Sequence, residues 1–73
     1  MKNSNFYFNL GRNIKKIRNS IGLSQQELAD RVKLSLNFVG KIEVAFSHPS
    51  MDTVVKIADA LDVTVSELCD FKK

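Results

Sequence analysis

Apolar residues recur at helical spacing from the start of the chain. Phe6, Leu10, Ile14, Ile17 and Ile21 follow one another at intervals of four, four, three and four. That is the repeat of one helix face, and it predicts a first helix over residues 6–21. Gly22 stands where helices commonly end in a left-handed residue, with Leu23 placed to fold back as the hydrophobic contact that follows. Ser24-Gln25-Gln26-Glu27 has the spacing of a capping box, in which serine and glutamate satisfy each other's backbone N–H. It predicts a second helix over 25–32 that buries Leu28, Ala29 and Val32. Lys33-Leu34 is a tight connection, and Ser35 is a good N-cap for a third helix over 36–44. After a loop at 45–49, Pro49-Ser50 opens a fourth helix over 51–61, with Met51, Val54, Ile57, Ala58 and Leu61 on one face. Thr64-x-x-Glu67 is a second capping box and starts a short fifth helix over 65–69. No run alternates apolar and polar residues for long, so strands are not expected. The expected fold is a compact all-α domain of five helices, 1–73 forming one unit.

The second and third helices are about two turns each, joined by about three residues. So short a link makes them cross steeply, and Ala29 supplies the small side chain the crossing needs. This is helix-turn-helix geometry, in which the second helix of the pair can enter a major groove about 12 Å wide. With Val39 and Ile42 inward, Asn37, Lys41 and Val44 point outward at about 100° per residue, flanked by Leu36 and Gly40. Asn pairs with adenine N6/N7 and Lys donates to guanine O6/N7, so both are groove-reading types. Gly40 either lets the backbone approach a ligand closely or is simply tolerated.

Charge sharpens this picture. The 73 residues carry a net charge of +3. Residues 1–41 hold eight Lys/Arg against Glu27 and Asp30, a balance of +6, while residues 42–73 balance at −3. A basic half beside an acidic half suits a protein that turns one face to a polyanion. Arg12, Lys15 and Lys16 lie on the outward side of the first helix, where they are candidates for phosphate contacts.

The stretches LGRNIKKIRNSIGLSQQELADRV, VGKIE and PSMDTVVKIADALDVTVSEL resemble the Cro/phage-repressor (Xre-type) helix-turn-helix family over about residues 10–68. The resemblance implies a lambda-repressor-like fold and binding to double-stranded DNA. It implies a phosphate or base contact for Gln25, and base-edge or phosphate contacts for Ser35, Leu36, Asn37 and Lys41. Phe38 falls at a position near the DNA backbone. Arg18 and Glu43 match a structural ion pair, expected here to be partly buried; their places on the helical wheel agree. The chain departs from the family twice. Val44-Ala45-Phe46 stands where polar residues or glycine usually follow the third helix. Lys33 stands where glycine is frequent in the turn, at a cost of about 1–2 kcal/mol if left-handed.

Other chemistry finds little support. The single cysteine, Cys69, allows no internal disulfide and no cysteine-based zinc site. Glu67 and Asp70 flank it, which gives no basic setting to lower its pKa, and it reads as a packing residue. His48 has no second ligand at metal spacing and reads as inert. No metal signature, glycine-rich phosphate loop or catalytic carboxylate pair stands out, so neither an enzyme nor a cofactor is expected. Nothing reads as a signal peptide or a membrane span, which points to the cytoplasm. Phe8, Val55 and Phe71 look only partly buryable, and dimerisation through the fourth and fifth helices is expected. The expected function is a repressor that binds a pseudo-palindromic operator as a homodimer, with no room for a ligand-binding domain. The alternative is an antitoxin or co-regulator that acts mainly on a protein partner, through Val44, Phe46 and Phe71.

Overall fold

The computed structural model describes residues 5–71. Five helices follow in order: α1 Phe6–Ser20, α2 Gln25–Val32, α3 Leu36–Glu43, α4 Met51–Ala60 and α5 Val65–Leu68. No strand occurs among the described residues. α3 packs against both α1 and α2, α4 against α2, and α5 against α4 and α1. The core is made of Leu10, Ile14, Leu28, Ala29, Val39, Ile42, Ile57, Leu61 and Leu68, all essentially inaccessible. Truncating one of its leucines to alanine costs about 2–5 kcal/mol.

Local chemistry sets the helix starts. The hydroxyls of Ser24, Ser35, Ser50 and Thr64 accept the backbone N–H of Glu27, Phe38, Thr53 and Glu67. Both capping boxes close, with Ser24 N–H donating to Glu27 and Thr64 N–H to Glu67, each at 2.8 Å. The Ser24 backbone N–H and its hydroxyl hold the Glu27 carboxyl below the usual carboxylate range. Four of the helices end one residue earlier than the hydrophobic pattern predicts. Ile21, Val44, Leu61 and Cys69 still donate to the carbonyl four residues back, but they are caps rather than helix.

Four helices end with the same device. Gly22, Lys33, Ala45 and Asp62 all have positive φ, from 59° to 77°. Behind each, the next residue donates back across the turn: Leu23 to Arg18, Leu34 to Ala29, Phe46 to Lys41 and Val63 to Ala58. This is the Schellman motif, which satisfies carbonyls the helix leaves open. Leu23 is buried and Leu34 and Val63 pack on the core; Phe46 stands out, 76% exposed.

Two expected core positions and the orientation of the α1 face are corrected. Ile21 is exposed, because α1 has ended and Leu23, turned back by Gly22, fills the space beneath. Met51 is exposed as well. The buried face of α4 centres on Val54, Ile57, Ala58 and Leu61, and Met51 stands about 70° from it, beside the exposed Val55. The buried face of α1 is Leu10, Gly11, Ile14 and Arg18, turned about 50° from the apolar stripe. Gly11 explains the rotation. A Cβ there would lie 2.5 Å from the Ile42 carbonyl oxygen and 2.6 Å from that of Glu43. Only a hydrogen at this position lets α3 come so close.

Candidate nucleic-acid interface

The Arg18–Glu43 pair fixes α3 against α1. Arg18 Nε donates to Glu43 Oε2 at 2.7 Å and its NH2 to Oε1 at 3.0 Å. The pair is buried rather than partly buried, with side-chain exposures of 8% and 1%. Arg18 NH1 also donates to the Leu23 carbonyl at 2.7 Å and to Asn19 Oδ1 at 3.1 Å. Gln25 Nε2 completes the carboxylate's partners, donating to Glu43 Oε1 at 2.9 Å. One clamp therefore joins the end of α1, the turn after it, the start of α2 and the end of α3. Among the described residues no buried side-chain polar atom lacks a partner, the condition under which a buried ion pair is tolerated.

That clamp sets which side of α3 faces out. Val39, Ile42 and Glu43 are buried, Phe38 is half-buried, and Leu36, Asn37 and Val44 are exposed. Lys41 is half-exposed, its ammonium 5.6 Å from the Phe46 ring centroid. Gln25, Leu36, Asn37 and Lys41 line one concavity together with Gly40, Val44 and Phe46. A second depression adjoins it and shares Gln25 and Val44; Arg12, Lys15, Lys16 and Asn19 line its other side. Seven of the nine residues singled out for DNA contact thus lie on adjoining surfaces. Ser35 and Phe38 line neither. Ser35 caps α3 through the Phe38 N–H at 3.1 Å, and Phe38 packs on the core.

Several roles were missed from sequence. Asn13 Nδ2 donates to the carbonyls of Leu68 and Asp70, at 2.9 and 3.0 Å, and ties α5 to α1. A lone asparagine carries no local signal of a partner 55 residues away. Gly11 did leave a signal, since a glycine inside a helix costs about 1 kcal/mol and needs a packing reason. His48, read as inert, lies flat on Tyr7 with ring centroids 3.8 Å apart. Phe8 is exposed with the Arg12 guanidinium 5.6 Å from its ring. Phe71 meets Phe6 edge-on at 5.5 Å and is half-buried against the core. Lys33 is left-handed, with φ 59°. Burial pushes the Cys69 thiol above its ordinary pKa.

Among the described residues no group of three His, Cys, Asp or Glu is placed to hold a metal ion, and no helix is long and apolar enough to cross a membrane.

Two short helices joined by three residues and packed against each other, with the outer face of the second left open, define a helix-turn-helix domain. A helix-turn-helix family pattern matches residues 14–68, and the chain belongs to that family. It is 40% identical over 52 residues to the cryptic phage CTXphi transcriptional repressor RstR of Vibrio cholerae, covering 71% of this chain and 46% of RstR. Its fold matches the restriction-modification controller protein C.AhdI of Aeromonas hydrophila with TM-score 0.82 and 32% identity, over 85% of this chain and 94% of that one. It also matches SinR, a master regulator for biofilm formation solved in complex with DNA, with TM-score 0.78 and 32% identity, over 84% of this chain and 98% of that one. The chain spans about half the length of the curated relatives it matches, from 41% to 54%.

Proposed function

We propose that this chain is a transcription regulator that binds duplex DNA in a sequence-specific way and acts as a repressor, with α3 in the major groove. The observation that carries the reading is the continuous surface from Arg12 and Lys15 through Gln25 to Asn37 and Lys41, held by the buried clamp beneath it. Asn37 and Lys41 read base edges, and Leu36 borders them. Gln25, with its amide nitrogen committed to Glu43, still has an oxygen that can accept from an adjacent base. Ser35, whose oxygen caps α3, has a hydroxyl hydrogen to give to a phosphate, and Phe38 lies beside it. Arg12 and Lys15 neutralise phosphates and set the register. No cofactor is invoked. The similarity to a phage repressor and to a DNA-bound regulator supports the same reading.

A homodimer completes it. Met51 and Val55 are one helical turn apart on α4 and both are exposed. A two-fold contact through α4 and α5 would place two α3 helices in successive major grooves about 34 Å apart, over a pseudo-palindrome. Occupancy of such an operator in the cytoplasm would block polymerase.

The test is selection of bound duplexes from a random-sequence pool, with stoichiometry and a salt series. Enrichment of an inverted repeat, two chains per duplex and a linear fall of log affinity with log salt are expected. No enriched duplex, or affinity indifferent to salt, would overturn the DNA reading. The second reading, a module acting mainly on a protein partner, draws on the exposed Val44 and Phe46. Release of a bound protein by Val44→Ala, with no duplex selected, would favour it.

A further inference from the structure

Two parallel rows run along the open side of α3. Asn37 and Lys41 form one, four residues apart. Leu36, Gly40 and Val44 form the other at the same spacing. The second row is apolar, with Leu36 43% and Val44 71% exposed. Gly40 interrupts it with a notch. A Cβ built on Gly40 would stand 3.9 Å from both Nε2 and Oε1 of Gln25, in ordinary contact with nothing closer. The fold therefore does not require glycine here, in contrast to Gly11, whose Cβ would strike backbone. A helix-interior glycine is a cost of about 1 kcal/mol against alanine, and packing gives no return for it.

The open space admits a methyl group and lies between two branched apolar residues of the row. The row beside it carries an amide and an ammonium, which suits a ligand presenting hydrogen-bonding edges and negative charge. A major groove offers such edges and one apolar group, the 5-methyl of thymine. We propose that the Gly40 notch, walled by Leu36 and Val44, is a socket for a thymine 5-methyl group, and that these three residues determine specificity alongside Asn37 and Lys41. The inference rests on the DNA reading above and names a base feature that the polar row cannot sense.

The experiment takes the duplex enriched from the random pool and replaces its thymines one at a time with deoxyuridine. That removes the methyl and leaves every hydrogen-bonding group in place. For the unaltered protein, at least one replacement per half-site is expected to weaken binding about four-fold, the value of one buried methyl-sized group. Gly40→Ala fills the notch. It should melt no lower than the unaltered protein, bind the thymine duplex at least as weakly as the unaltered protein binds the uracil duplex, and lose nothing further on deoxyuridine replacement. If salt-dependent duplex binding is present but every deoxyuridine is silent, or costs the two proteins equally, the socket is overturned and the DNA reading stands. If no duplex is bound, both are overturned. If Val44→Ala releases a protein partner while duplex affinity holds, this row is a protein surface and the socket is likewise overturned.

Discussion

The inward and outward sides of α3 are built on opposite principles, though they share eight residues of one helix. The inward side tolerates no freedom. Val39 and Ile42 are sealed in the core, Glu43 is held by Arg18 and Gln25, and Gly11 lets the α1 backbone come against the end of the helix. The outward side is less constrained: Leu36, Asn37 and Val44 are exposed, and a Cβ at Gly40 would meet only the Gln25 side chain. Under the proposed function, stability and recognition fall to different residues of the same two turns. Substitutions on the two sides should separate cleanly, inward ones lowering stability and outward ones changing binding.

The largest expected effect is on the inward side. Glu43→Ala leaves Arg18 charged and buried without its carboxylate, and frees Gln25. We predict a loss of about 3–5 kcal/mol, read from the denaturant midpoint at constant slope. A loss below about 1 kcal/mol would mean that water reaches Arg18 and that the clamp does not hold α3. Next comes Gly11→Ala. Its added methyl meets two backbone carbonyls, which cannot swing aside as a flexible side chain can. We predict about 1–3 kcal/mol of destabilisation, despite the better helix propensity of alanine. Unchanged stability would show that α1 and α3 can part without cost.

On the outward side, Lys41→Ala should reverse the pattern. We predict stability within about 0.5 kcal/mol of the original, while specific duplex binding weakens by about 1–3 kcal/mol and discrimination relaxes at one base position. Binding titrations against the selected duplex and its single-base variants measure this. Unchanged discrimination would remove Lys41 from the base-reading set. A large loss of stability would mean that its stacking on Phe46 supports the fold, and the two-sided division would fail.

The same division governs what could be read from sequence. Helix starts were legible because Ser24, Ser35, Ser50 and Thr64 act on N–H groups three residues away. Four of the five helix ends were placed one residue late because a cap keeps the helical bond after the backbone has turned. The face of α1 was misjudged because hydrophobicity marks what prefers burial, while Gly11 and Arg18 are buried by the approach of α3. The outward set was legible from wheel angles alone, as no tertiary contact redirects it. The depth of the Arg18–Glu43 pair and the reach of Gln25 to Glu43 depend on how three helices converge, which no local pattern records.

The smallest effect lies in the turn that sets the crossing between α2 and α3. Lys33 is left-handed, at φ 59° and ψ 42°, and exposed. Its Cβ makes that conformation cost about 1–2 kcal/mol, and glycine would relieve this. Glycine also frees the unfolded chain, which offsets about 0.4–1 kcal/mol. The balance predicts that Lys33→Gly stabilises by about 0.5–1 kcal/mol, a rise in melting temperature of several degrees for a chain of this size. Lys33 lines neither concavity of the candidate interface, so duplex affinity should change only by the weak effect of one distant charge. A lower melting temperature would mean that the Lys33 side chain stabilises the turn more than its backbone strain costs. A large loss of affinity would place this turn on the DNA as well, extending the outward surface beyond α3.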